Sequence, residues 1–139
     1  MHIVPYLMFA GEAEAALHFY QRVLGGEITM LSRYGDNPDM GAKGAQKEKI
    51  LHARLESADF RLYFSDSMPN VEVETGNKVS MNIECTSMEE INEAYALLSE
   101  GAKVEYELQD TFWGARYAKL TDRFGLRWDL NYQYPQEGK

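Results

Sequence analysis

The sequence predicts an α+β fold built from two similar modules, each ordered strand, helix, strand, strand, strand. Two amphipathic segments have helical spacing and stop at glycine, one at Gly26 and the other at Gly101. Most of the remaining chain alternates apolar and polar residues, as half-buried strands do. A shift of about 75 residues also places Gly26 on Gly101 and Tyr20 on Tyr95, which indicates an internal duplication.

The first module is predicted over residues 1–68. Strands are expected at 3–9, 27–34, 49–56 and 60–65, and a helix at 12–24. Residues 35–48 are rich in Gly, Asp, Asn and Lys and are predicted to form a loop. The apolar stripe of the helix consists of Ala13, Ala16, Leu17, Tyr20, Val23 and Leu24.

The second module is predicted over residues 77–134, within a single domain that covers 1–139. It begins with a strand at 78–85, and the Ser87–Glu90 capping signature then starts a helix at 88–100. A strand at 103–108 and a hairpin that turns at 122–125 complete it. In the last strand, Leu126, Trp128 and Leu130 share one face, and the opposite face carries Arg127, Asp129 and Asn131.

Composition excludes several classes of function. A net charge of −8 argues against binding to nucleic acid or to an anionic membrane surface. No apolar run approaches the roughly 20 residues of a spanning helix, and the start of the chain carries no signal peptide pattern. The single cysteine, Cys85, lies in an apolar strand and is expected to be buried and inert. We therefore expect a cytoplasmic protein without nucleic acid or membrane partners.

Several motifs resemble a known family. The strand followed by the helix Ala16 to Gly26 is similar to the start of the glyoxalase, bleomycin-resistance and extradiol-dioxygenase superfamily, also called vicinal oxygen chelate. Over nearly its whole length the chain resembles the PhnB-like branch of this superfamily. The segments that carry this narrower resemblance are residues 5–9, 33–36, 52–53, 111–116 and 120–125. The resemblance implies two βαβββ modules, with curved mixed sheets around a cavity, in a homodimer.

The strand alternation supplies the candidate site residues. His52 and Asp129 are the candidate catalytic residues, because they lie on polar strand faces that the resemblance turns toward a cavity. The same reasoning gives four candidate ligand-binding residues: Arg54, Arg61, Tyr63 and Arg127. Trp113, just before Gly114, is a fifth candidate, an aromatic placed at the pocket mouth where it could stack on a planar ligand. Two alternatives stay open: the polar faces form a solvated outer surface, or His52 is a hydrogen-bonded strand histidine without chemistry.

A divalent metal is the cofactor that the resemblance implies, but the ligand set is incomplete. The ligand positions of the superfamily fall near Pro5, near Tyr63 or Ser65, near Ser80 and at Asp129. Only the last is a carboxylate, and transition-metal sites need three or four converging His, Cys, Asp or Glu ligands. We therefore predict no metal-ligating residues, and His52 with Asp129 is the remaining pair of possible ligands.

Function stays open between two classes. One is an enzyme of lyase or isomerase type with a polar pocket for a small molecule. The other is a non-catalytic binding or resistance protein that sequesters its ligand. Relatives of this type are often labelled 3-demethylubiquinone methyltransferases. We reject that activity because the sequence has no glycine-rich strand-to-helix turn and predicts no parallel sheet.

Overall fold

The computed structural model describes residues 1–136, so residues 137–139 of the predicted domain lie outside the described residues. The chain divides into two compact units, Met1–Glu74 and a second that starts at Thr75. Each unit is described by itself.

The first unit contains one helix and a four-stranded mixed sheet. Its elements are β1 (Tyr6–Phe9), α1 (Ala13–Leu24), β2 (Glu27–Arg33), β3 (Ile50–Glu56) and β4 (Arg61–Asp66). The strand order is β1-β4-β3-β2, with β1 parallel to β4 and the other pairs antiparallel. The predicted loop at 35–48 contains short 3₁₀ turns between β2 and β3.

The second unit repeats this arrangement. Its elements are β5 (Met81–Glu84), α2 (Met88–Leu98), β6 (Lys103–Asp110), β7 (Ala115–Thr121) and β8 (Arg127–Gln133). The order is β5-β8-β7-β6, and β5 runs parallel to β8. Each unit is therefore a βαβββ module with a mixed sheet, and the predicted α+β fold class is confirmed.

The helices cover one face of each sheet, α1 against β3 and β4, and α2 against β7 and β8. Alternate residues of the strands, such as Ala53 and Leu55 or Trp128 and Leu130, are buried on that face. The polar residues between them stay half-buried on the opposite face. Periodicity therefore assigned the faces of these strands correctly.

Two strands, β1 and β5, are shorter than predicted by three or more residues. β1 starts at Tyr6 because Pro5 has no N–H to donate, although its carbonyl accepts from Tyr63 N at 3.0 Å. β5 starts at Met81, opposite Trp128, since the residues just before β8 form the turn closed by Asp122 N to Leu126 O at 2.8 Å. Val79, predicted on the apolar face, is consequently 75% exposed.

A buried carboxylate at the end of β4 joins three elements of the first unit. Asp66 accepts backbone hydrogen bonds from Gly11 at 2.8 Å and Ala13 at 2.9 Å, where α1 begins, and from Ile50 at 2.9 Å, where β3 begins. Charged acceptors make strong bonds with backbone N–H groups. Asp66 therefore fixes the ends of the two central strands that carry the polar face described below.

The two helices found in residues 1–136 both lack the length and apolar character needed to span a membrane.

Candidate functional site

The predicted site residues lie on the polar sheet faces of both units. His52, Arg54, Arg61 and Tyr63 belong to the first unit, on β3 and β4. Trp113, Arg127 and Asp129 belong to the second unit, with Trp113 between β6 and β7 and the other two on β8.

Four polar and aromatic side chains of the first unit form a connected group, called here the first cluster: Tyr6, His52, Arg54 and Tyr63. The Tyr6 hydroxyl lies 2.6 Å from His52 Nδ1, and Arg54 Nε lies 2.9 Å from His52 Nε2. The ring centroids of His52 and Tyr63 are 5.1 Å apart in an edge-on arrangement. The fold therefore brings three of the predicted residues together and adds Tyr6.

The hydrogen bond from Arg54 determines the protonation of His52. An arginine Nε–H can only donate, so Nε2 of His52 must be the acceptor and carries no hydrogen. The imidazole is then neutral with its hydrogen on Nδ1. Burial, and then the positive charge of Arg54, lower the pKa of His52, which favours the same neutral form. With both ring nitrogens engaged inside the chain, the role of His52 as a general base stays a prediction.

Arg54 is positioned from two sides. Its Nε donates to His52, and its guanidinium carbon lies 4.6 Å from the centroid of the Tyr63 ring, a cation–π contact. Among residues 1–136, Arg54 makes no ion pair. Its terminal amino groups are therefore available to an anion, in a half-buried position.

The other candidate binding residues have different surroundings. Arg61 pairs with Glu56, Nε to Oε1 at 3.3 Å, and lines a cavity of about 290 Å³ beside residues 2–4 and 57–60. Arg127 pairs with Glu105 at 3.3 Å and lines a cavity of about 430 Å³ that also includes residues 75–77. Both guanidinium groups are partly neutralised, and neither cavity contains a residue of the first cluster.

A second cluster surrounds Asp129 in the second unit and is defined by Ser80, Tyr117, Lys119 and Asp129. Tyr117 donates to Asp129 Oδ1 at 2.5 Å, Ser80 donates to Oδ2 at 2.6 Å, and Lys119 Nζ lies 3.6 Å from Oδ1. Trp113 contacts the Tyr117 ring, with centroids 5.8 Å apart. Each oxygen of the Asp129 carboxylate thus accepts a hydrogen bond from a side chain of its own unit.

These contacts shift two pKa values in the second cluster. Burial raises the pKa of Asp129, but hydrogen bonds from Ser80 and Tyr117 and the charge of Lys119 outweigh it, so the net change is a lowered pKa. Burial, followed by the hydrogen bond to Asp129, raises the pKa of Tyr117 to about 12. At neutral pH the cluster therefore holds an ionised carboxylate and a protonated tyrosine.

The strand registers allow the two clusters to be matched position by position. Tyr6 and Arg54 both lie opposite Tyr63 in the first sheet. In the second sheet Lys119 takes the position of Arg54, and the residue opposite Lys119, in the position of Tyr63, is Asp129. A neutral tyrosine in one module thus stands where the other has a carboxylate. This difference explains why Lys119 is neutralised and Arg54 is not.

The positions of the superfamily's metal ligands do not form a transition-metal site in this chain. Pro5 has no donor atom in its side chain, and the Ser65 hydroxyl donates to the Leu51 carbonyl at 2.9 Å. Residues 1–136 contain no group of three or more His, Cys, Asp or Glu side chains arranged to hold a metal ion. The donor atoms of the described residues therefore do not fit a transition-metal ion.

Sequence reasoning missed Tyr6 and Tyr117 as polar partners of the candidate residues. Tyr6 lies in an apolar run, yet it alternates with the buried Leu7 and Phe9. This period of two was the available signal, since it places Tyr6 on the same face as Tyr63.

Comparison with solved structures identifies the fold. A glyoxalase/bleomycin resistance protein/dioxygenase family enzyme from Burkholderia phytofirmans has the same fold, with a TM-score of 0.61, 15% identity and coverage of 93% of this chain and 97% of that one. The paired βαβββ modules therefore have the glyoxalase/bleomycin-resistance-like fold. The chain belongs to the PhnB-like family, whose sequence profile matches residues 1–131 and is described as 3-demethylubiquinone-9 3-methyltransferase.

Three relatives cover nearly the full chain. Protein PA1353 from Pseudomonas aeruginosa has 35% identity and a TM-score of 0.85, covering 96% of this chain and 98% of that one. A putative 3-demethylubiquinone-9 3-methyltransferase, PhnB protein, from Bacillus cereus has 26% identity and a TM-score of 0.83, covering 95% and 99%. Protein YjdN from Escherichia coli is 29% identical, covering 94% of this chain and 95% of its own length.

Proposed function

We propose that this protein binds a small molecule that carries acceptor oxygens, on the polar face of its first sheet, with Arg54 as the principal anchor. The single observation that supports this is the half-buried Arg54 guanidinium, which is positioned by His52 and Tyr63 and makes no ion pair within residues 1–136. Arginine favours carboxylate and phosphate ligands, since its planar donors match two oxygens at once.

The charge of the chain sharpens this proposal. A net charge of −8 disfavours general attraction of anions, so an anionic ligand must be held by local contacts. Four of the other arginines in the described part of the chain pair with Glu14, Glu56, Asp110 and Glu105, and a fifth lies near Glu100. Arg22 also lacks an ion pair there, but it lies on α1 with its guanidinium carbon 6.0 Å from the Phe19 ring centroid. It therefore provides a matched control.

Titration with sodium oxalate and inorganic phosphate, followed by isothermal calorimetry and amide chemical shifts, tests the proposal. Wild type and Arg22→Gln are expected to bind one of the anions with shifts centred on β3 and β4, whereas Arg54→Gln should weaken binding at least tenfold. Equal affinity in Arg54→Gln and wild type, or absence of binding to both anions by wild type, would contradict the proposal.

A non-catalytic binding protein is the second candidate, and one observation favours it over a lyase or isomerase. Both nitrogens of His52 are hydrogen bonded, and each oxygen of the Asp129 carboxylate already accepts from a hydroxyl group of its own unit, so both candidate catalytic groups are engaged in structural hydrogen bonds. We do not propose methyl transfer, the activity in the family's description, for this chain. Each sheet has only one parallel strand pair, and the turns before α1 and α2 are not glycine-rich.

We propose further that the protein is a homodimer, because β1 and β2 are sheet edges and several apolar side chains of the first unit are exposed, among them Met8 and Met30.

A further inference from the structure

The Tyr6 hydroxyl is the second donor of the first cluster. His52 Nε2 accepts from Arg54, so the ring hydrogen is on Nδ1 and is donated to the Tyr6 oxygen at 2.6 Å. Tyr6 is therefore the acceptor in this bond, and its own hydroxyl hydrogen is not used on His52. Within residues 1–136 the hydroxyl has no other hydrogen-bond partner, and Tyr6 is 52% exposed.

We infer that Tyr6 and Arg54 together bind one oxyanion, carboxylate or phosphate, while His52 acts as a positioning residue that turns the Tyr6 hydroxyl hydrogen toward the ligand. This inference rests on the proposed function and deepens it. It adds Tyr6 to Arg54 as a ligand-binding residue and assigns positioning to His52, which the sequence predicts to be catalytic.

The sheet geometry supports a shared ligand. Tyr6 on β1 and Arg54 on β3 are both register partners of Tyr63 on the strand between them. Their side chains leave the same face of the sheet and meet at the two nitrogens of one imidazole ring. The hydroxyl and the guanidinium group thus flank one imidazole ring on the same sheet face, and an anion with two or more acceptor oxygens is the ligand that would span both donors.

The bond network also explains why histidine suits position 52. A neutral imidazole accepts on one side and donates on the other, and only this pattern gives Arg54 an acceptor while leaving the Tyr6 hydrogen unused. Burial and the charge of Arg54, which lower the pKa of His52, keep it in this state. In the second sheet the residue that matches Arg54 is Lys119, which lies 3.6 Å from Asp129, and the residue that matches Tyr6 is Asn82, which donates to Glu84, so the same site is not formed there.

Two substitutions of His52 separate positioning from contact. In His52→Gln, the amide oxygen can accept from Arg54 and the amide nitrogen can donate to Tyr6, so oxalate or phosphate affinity should stay within about threefold of wild type. In His52→Glu, the carboxylate accepts from both neighbours and neutralises Arg54, so binding should be lost. Tyr6→Phe should weaken binding about tenfold. Tyr95→Phe, on α2 in the other unit, is the control and should bind as wild type.

A measurement on the unmodified protein complements these variants. Long-range ¹H–¹⁵N spectra are expected to show His52 as the neutral tautomer with hydrogen on Nδ1. The opposite tautomer, or an imidazolium at pH 7, would overturn the inference whatever the ligand. If Arg54→Gln loses binding but Tyr6→Phe does not, the inference fails and the proposed function stands. If Arg54→Gln binds as wild type does, both fail. Oxalate binding without phosphate binding, or the reverse, assigns the ligand class.

Discussion

Replacing Asp66 by asparagine should destabilise the first unit, because this carboxylate is 1% exposed and accepts three backbone N–H groups. Asparagine retains one acceptor oxygen, which can serve Gly11 and Ala13. Its amide nitrogen would then face the Ile50 N–H, donor against donor. One charge-assisted bond is lost, worth about 1.5–3 kcal/mol, and a buried donor is left without a partner. Because the two effects overlap, we expect a loss of about 3 kcal/mol.

Urea unfolding followed by far-UV circular dichroism measures this loss. With a slope of about 2 kcal/mol per molar, the midpoint should fall by about 1.5 M. Asp39→Asn, an exposed aspartate in the loop between β2 and β3, is the control and should change stability by less than about 0.5 kcal/mol. Both tryptophans, Trp113 and Trp128, lie in the second unit, so their fluorescence reports whether that unit unfolds together with the first. A loss below about 1 kcal/mol would refute the reasoning about Asp66.

Four further outcomes are expected. Burial, together with Glu90 and Glu84, raises the pKa of Cys85 to about 11, so less thiolate is present at pH 8. Iodoacetamide should therefore label the folded chain far more slowly than the urea-unfolded chain, and equal rates would contradict this. Removing the carboxylate in Asp129→Asn should lower the pKa of Tyr117 from about 12 toward 10. In a pH titration the phenolate absorbance of Tyr117 should then appear at a lower pH than in wild type, and Tyr117→Phe should lack this absorbance. Light scattering at micromolar concentration should give twice the chain mass of 15.9 kDa, and a monomer mass counts against the dimer. Metal analysis of unsupplemented protein should find well below one equivalent per chain, and a stoichiometric metal would overturn the metal-free site.

The order of elements and the faces of the strands were readable from the sequence because they depend on neighbouring residues. The stripe that includes Ala16, Leu17 and Tyr20 predicted α1, and the alternation around Trp128 and Leu130 predicted the buried face of β8. The repeat of about 75 residues then gave the two-module fold. Strand ends were less accurate, since a strand exists only where a partner strand supplies hydrogen bonds, and Val79 has none in the ladders of β5.

The sequence alone determined the polar faces and the candidacy of His52, Arg54 and Tyr63. It did not determine that His52 would meet Tyr6, which is 46 residues away, because that contact depends on the parallel register of β1 and β4. Nor could the alternation pattern distinguish Arg54 from Arg61, since both lie at polar positions of predicted strands. Only the tertiary structure placed a carboxylate beside Arg61 and a tyrosine ring beside Arg54. Periodicity is local to a strand, whereas the charge environment of a side chain is set by residues distant in the chain.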